Sequence, residues 1–177
     1  MLITLSLYEL IISLIMGLFT ILVTAILTEK IFFKENVRPK LVDNNVAVGL
    51  FFGAAIFGVL INVNGSIEPA VNFLQTKLLG GGLNAKILFS SFGQFLIFYF
   101  ISFSISFIMF ALGFWVLILL TKGFDEVALI KSGNLSVSVL FSLIIIGFSL
   151  FISPATKHII GSLVNYELVQ AELNPHR

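Results

Sequence analysis

Apolar residues in this chain fall into four long runs separated by short polar stretches. No charged side chain occurs in Leu10–Thr28, Asn44–Ile67, Ile87–Thr121 or Ser132–Thr156. Each run reaches or approaches the ~20 residues that cross ~30 Å of hydrocarbon as an α-helix. None keeps the polar outer face that a helix of a water-soluble bundle needs. The pattern predicts an all-α integral membrane protein with four transmembrane helices, at 7–32, 45–64, 96–121 and 134–153. The first run is long for a signal core and has no Lys or Arg before it, so it is expected to stay as a helix.

Sliding the chain over itself by 89 residues aligns its halves without a gap. The clearest match sets Leu41–Leu60 on Ile130–Ser149, with Asn45 on Asn134, Val48 on Val137, Phe52 on Phe141, Ile56 on Ile145 and Gly58 on Gly147. Gly49 and Gly53 fall on Ser138 and Ser142, and Ser13 and Gly17 on Ser102 and Ser106. Matches between small or polar residues carry more weight than matches between aliphatic ones, which lipid favours everywhere. Two tandem units are therefore expected, residues 1–82 and 83–177, each a membrane helix, a polar loop, a second membrane helix and a short interfacial segment. An even number of spans per unit makes the repeat parallel rather than inverted.

The interfacial segment of the first unit is predicted from Glu68-Pro69, a helix start with proline in its first turn. Ile67, Val71, Leu74 and Leu78 recur at helical spacing beside Asn72, Gln75 and Lys77, as in a helix lying on a membrane surface. Gly80, Gly81 and Gly82 read as a hinge after it, and Pro154 opens the corresponding segment of the second unit. In the third run, the part near Ser90, Ser91, Gly93 and Gln94 is expected in the interface or a protein-filled notch, because the run exceeds the membrane thickness.

Composition sharpens this picture. The 177 residues are 58% hydrophobic and 11% charged, less than half the charge of an ordinary soluble domain (~25%). The formal net charge of +1 gives no field for nucleic acid. The absence of cysteine excludes disulfides and thiolate metal sites. Lys30, Lys34, Arg38, Lys40, Lys122 and Lys131 lie on one side, against Lys77, Lys86, Lys157 and Arg177 on the other. That bias predicts the loops at 33–44 and 122–133 to be cytoplasmic and both termini outside.

Two constellations stand out. Gly49-x-x-x-Gly53 with Gly58, and Ser138-x-x-x-Ser142 with Gly147, form small-residue faces on which helix backbones can approach closely in lipid. Asn45 and Asn134 sit where the second helix of each unit begins and read as N-caps. With Asn62, Asn64, Ser102 and Ser106 they could instead line a polar path. Catalytic templates fail. His158 and His176 are far apart and lack metal-ligand spacing, and no Lys-Ser/Thr follows the glycine triplet. No Ser has a matching His and carboxylate set. Asp125 and Glu126 read as solvated or capping loop acids, and Glu9 as a snorkelling one. The nine Phe within Ile87–Thr121 mark lipid contact and packing, not a cofactor box. No cofactor or metal is expected.

The run Asp43-Asn44-Asn45-Val46-Ala47-Val48-Gly49-Leu50-Phe51-Phe52-Gly53 and the run Glu126–Asn134, ending Ser132-Gly133-Asn134, resemble the repeated motif of the domain of unknown function 350 family. That motif places acidic residues before a Gly-Asn pair and a glycine-rich apolar helix, twice per chain. Here the first copy has Asn44-Asn45 for Gly-Asn, and the second has Ser138 and Ser142 at small-residue positions. The resemblance implies a four-helix protein of the bacterial inner membrane and no established activity. The expected function is a non-enzymatic membrane scaffold or accessory subunit, partnered by the lipid bilayer and by further copies of itself or another membrane protein. A channel or transporter for ions or small solutes is the alternative, and an intramembrane enzyme a distant third.

Overall fold

The computed structural model describes residues 2–81, 84–121, 123 and 125–163, and every regular element among them is a helix. In chain order these are α1 (Leu2–Thr28, continued by a π-turn over Glu29–Phe33), α2 (Arg38–Val42), α3 (Val46–Asn64), α4 (Ile67–Gly81), α5 (Ala85–Leu120), α6 (Glu126–Lys131) and α7 (Leu135–Ser162). Four stretches are long and apolar enough to cross a membrane: Leu5–Phe33, Val46–Leu79, Ala85–Leu119 and Leu135–Ser162.

Side-chain pairs fix the helix directions. On α3 and α7, Ala47 meets Ser138 and Ile61 meets Ser153, so both advance together and run parallel. On α1 and α5, Thr20 meets Tyr99 and Phe32 meets Phe110, so these are parallel too. Phe33 stacks on Phe52 near the start of α3 while Met16 lies beside Val63 near its end, which makes α1 and α3 antiparallel. The α3–α7 pair is the centre of the bundle. α1 packs on α3, and α5 packs on both α7 and α3, but α1 has no comparable interface with α7.

Two apolar clusters hold the helices, one towards each end. Near the polar loops, Phe32 and Phe33 from the π-turn meet Phe51, Phe52, Phe110, Phe114 and Phe141. Ring centroids of 4.5–6.4 Å there are the edge-to-face and offset distances aromatic pairs prefer. At the other end Ile12, Met16, Val59, Val63, Phe73, Phe95, Phe98 and Tyr99 pack together.

Three helices differ from the sequence expectation, α5 and α7 in their bounds and α4 in its buried face. α5 is one continuous 36-residue helix from Ala85 that packs against α4, with Ser91 fully buried while Phe89 in its first turns stays exposed. α4 buries Ala70, Phe73 and Leu74, so of the Ile67–Val71–Leu74–Leu78 stripe Leu74 lies in the buried face while Ile67, Val71 and Leu78 are half-buried beside it. α7 runs through Pro154 to Ser162 where a break was expected, losing only the bond a residue-154 N–H would have made. In the first half the chain does break, at Gly65-Ser66, whose N–H groups turn back to the carbonyls of Asn62 and Val63. A Cβ on Gly65 would lie 3.1 Å from the Asn62 oxygen and 3.4 Å from Lys157 Cβ, so glycine permits the close approach of α7. Gly80 and Gly81 lie inside α4, and Gly82, like His176 and Arg177, falls outside the described residues.

Candidate functional site

The residues singled out from the sequence divide by what the folded chain does with them. Asn45 and Asn134 are N-caps: Val48 N–H donates to Asn45 Oδ1 and Val137 N–H to Asn134 Oδ1, each at 3.1 Å. The turns that deliver them match bond for bond at the 89-residue offset. Asn45 N–H donates to the Lys40 carbonyl, and Asn134 N–H to that of Leu129. Asn44 and Gly133, the preceding residues, both have positive φ, 58° and 92°. Asparagine is among the few non-glycine residues that enter that region without great strain, which explains Asn-Asn standing for Gly-Asn. The Asn45 side chain does a second job, donating from Nδ2 to the Lys131 carbonyl at 2.9 Å and so tying the two loops together.

Asn62 is buried in the α3–α7 seam, donating to the Gly58 carbonyl at 3.1 Å and reaching the Ser149 carbonyl at 3.5 Å. Thr156 donates to its Oδ1 at 3.4 Å. Ser138 donates to the Ala47 carbonyl and Ser153 to the Ile61 carbonyl. Interhelical hydrogen bonds therefore join α3 and α7 towards both ends of the seam, and of the polar groups available to line a path Asn45, Asn62 and Asn134 are held in caps or interhelical bonds. Asn64 is exposed at the end. Ser106 donates to the Ser102 carbonyl at 2.7 Å within α5, while the Ser102 and Ser142 hydroxyls are buried without a partner.

The small residues do not act alike. Gly58 is in the seam, where an added Cβ would fall 2.5 Å from Ser149 Oγ. Ser138 and Ser142 are buried in the same interface. A Cβ on Gly49 would make an ordinary 3.7 Å contact with Leu41, whereas Gly53 and Gly147 face open space within the chain.

Charges gather at the loop end. Glu29 accepts from Val37 N–H at 3.2 Å and pairs with Arg38 at 3.4 Å. Glu35 lies 3.2 Å from Lys40 and 3.3 Å from Lys131, and Lys131 also donates to the Phe33 carbonyl at 2.9 Å. Hydrogen bonds from Lys40 and Lys131 hold the Glu35 carboxyl below its ordinary range. This network, which the spacing of charges did not announce, brings the loops at 33–44 and 122–133 to one end of the molecule. At the opposite end Lys157 pairs with Glu68.

Of the loop acids, Asp125 caps α6 by accepting from Ala128 N–H at 2.9 Å, as expected. Glu126 is not solvated: it is 4% exposed and bonded to the Thr121 hydroxyl. The sequence signal that could have found it is its register, since the offset puts it on Val37, which is fully buried. Among the described residues no group of three or more His, Asp or Glu could hold a metal ion.

The model of one protein family, Domain of Unknown Function (DUF350), matches the chain twice, over residues 1–102 and 87–171. The chain belongs to this family. No curated protein and no solved structure matches it. The family's name carries no activity.

Proposed function

We propose that this DUF350 chain is a non-enzymatic, multi-pass protein of the bacterial inner membrane that works as an oligomeric scaffold or accessory subunit. In this reading it consists of two tandem helix pairs of the same orientation. The double family match, the paired asparagine turns and the parallel directions of α3 with α7 and of α1 with α5 support the duplication.

One observation carries the association. α3 is the most enclosed of the four candidate spans, yet one stripe of it, Val46, Leu50, Gly53 and Phe57, is left uncovered by its own chain. These positions are spaced i, i+4, i+7 and i+11, a single helix face with a glycine at its centre. Close backbone contact with a second membrane helix is the use such a face has in lipid. The scaffold reading is favoured over a channel because Asn45, Asn62 and Asn134 are engaged as caps and interhelical bonds.

Because the chain has no cysteine, Gly53→Cys is a clean probe. Oxidation of membranes containing it should give a disulfide-linked dimer, and Gly53→Leu should yield a folded monomer. A wild-type chain that stays monomeric in membranes, with no Gly53→Cys cross-link, overturns the proposal. Flux of ions or small solutes through liposomes carrying the purified protein would decide for the channel, if Asn62→Leu abolished it while the fold persisted. Lys40→Cys should react with an impermeant reagent only after the membrane is opened.

A further inference from the structure

We infer that a cavity between α6 and α7 is a binding site for an amphiphile with an ammonium head. The site is built around Glu126, and its reach from the bilayer rests on the membrane placement proposed above.

The cavity has a volume of about 380 Å³ and is lined by Thr121, Glu126, Leu129, Asn134, Val137, Leu140 and Phe141. Its origin is legible in the 89-residue register. In the first half the equivalent positions are Phe32, Val37, Lys40, Asn45, Val48, Phe51 and Phe52. There Phe32, Val37, Val48, Phe51 and Phe52 fill one apolar cluster, with the Phe32 and Phe51 rings 6.4 Å apart. The second half replaces those two rings by Thr121 and Leu140 and the buried Val37 by Glu126. Two rings are removed and a carboxyl is added at the same place, so what is packed solid in one half is open and acidic in the other.

Among the described residues the acid has no counter-charge. Glu126 is 4% exposed, and one carboxylate oxygen meets the Thr121 hydroxyl. Among the described residues no cation lies within ion-pair distance of it and its other oxygen has no hydrogen-bond partner. A buried carboxylate without a cation is unfavourable, and a cation placed beside it recovers most of that loss. Asn134 presents a further polar group: its oxygen caps α7, while its amide makes no bond equivalent to the one from Asn45 to Lys131.

The remaining walls choose the ligand's body. Leu129, Val137, Leu140 and Phe141 offer hydrocarbon and suit an alkyl chain more than a hydrated metal ion. Leu140 is 48% exposed on the apolar outer face of α7, so the cavity opens sideways to lipid. An ammonium head against Glu126 with its chain leaving past Leu140 satisfies both halves of the site. The head can come from an aminophospholipid or from a free alkylamine.

Native mass spectrometry of the full chain in neutral detergent, titrated with dodecylamine or dodecanol, tests this. One dodecylamine should be retained per chain and dodecanol should not. Glu126→Gln keeps the size and removes the charge, and should weaken retention by roughly tenfold or more. Leu140→Phe restores a ring of the first half and should also abolish it, which keeps the test decisive if Glu126→Gln fails to fold. Nanodiscs of phosphatidylethanolamine against phosphatidylcholine then assign the source: selective retention of the former names the lipid, and retention of dodecylamine alone names a free amine. Equal retention of amine and alcohol, or full retention by Glu126→Gln, overturns the site. Resistance of the wild type to alkaline extraction from membranes reports the membrane placement independently of either result.

Discussion

Gly58 and Gly53 are five residues apart on one helix, and their substitution should have opposite consequences. At Gly58 a new methyl would sit 2.5 Å from Ser149 Oγ and 3.4 Å from both Ser149 Cβ and Ile145 Cγ2. The hydroxyl must turn away and α7 must shift slightly, because carbon contacts are favourable only at about 3.5–4.0 Å. Overpacking of this kind costs ~1–3 kcal/mol, partly offset by the up to ~1 kcal/mol that alanine gains over glycine in a helix. A net loss of about 1 kcal/mol corresponds to roughly 2–4 °C in Tm for a chain of this size. Gly53→Ala has nothing within 4 Å to strike and should leave Tm unchanged or raised. Thermal unfolding of the detergent-solubilised monomer, followed by circular dichroism, reads both. The decisive comparison is a double-mutant cycle with Ser149→Ala. Removing that hydroxyl takes away the shortest contact, so Gly58→Ala should lose most of its cost and the pair should couple by about 1 kcal/mol. Equal destabilisation by the two glycine substitutions, or no coupling to Ser149, would refute this account of the seam.

Asn45→Ala should cost more than Asn134→Ala: both lose a cap at ~0.5–2 kcal/mol, but only Asn45 also bonds the Lys131 carbonyl, and chemical denaturation compares them. Tyr99→Phe and Thr20→Val each remove the 2.8 Å hydroxyl pair between α5 and α1, at roughly 0.5–1.5 kcal/mol, and their effects should be less than additive in melting experiments. The Glu35 carboxyl is held low by Lys40 and Lys131. A depressed carboxyl contributes stability above its unfolded value of ~4.3 and loses it as pH falls through the lower folded value. Acid titration of Tm should therefore show a drop below about pH 4 that is smaller in Glu35→Gln.

Much of the architecture was written in one dimension. A helix that is to cross a bilayer needs a long uncharged run, and the four such runs placed α1, α3, α5 and α7 to within a few residues at their polar-loop ends. The 89-residue register anticipated that Asn45 and Asn134 would occupy the same turn, because an N-cap is a local device set by a few neighbouring residues. Tertiary structure decided what depends on which surfaces meet. Pro154 looked like a break, but a proline removes a single backbone bond, and the Ser153 and Thr156 contacts with α3 hold the helix on either side of it. The glycines of α3 look alike in sequence, yet only the arrival of α7 separates crowded Gly58 from open Gly53. Glu126 read as a loop acid because charge predicts solvent, while its burial follows from α6 docking beside α7, with Thr121 and Leu140 too small to fill the space around it. Periodicity tells which residues share a face of a helix; which of those faces is covered is settled only when the helices pack.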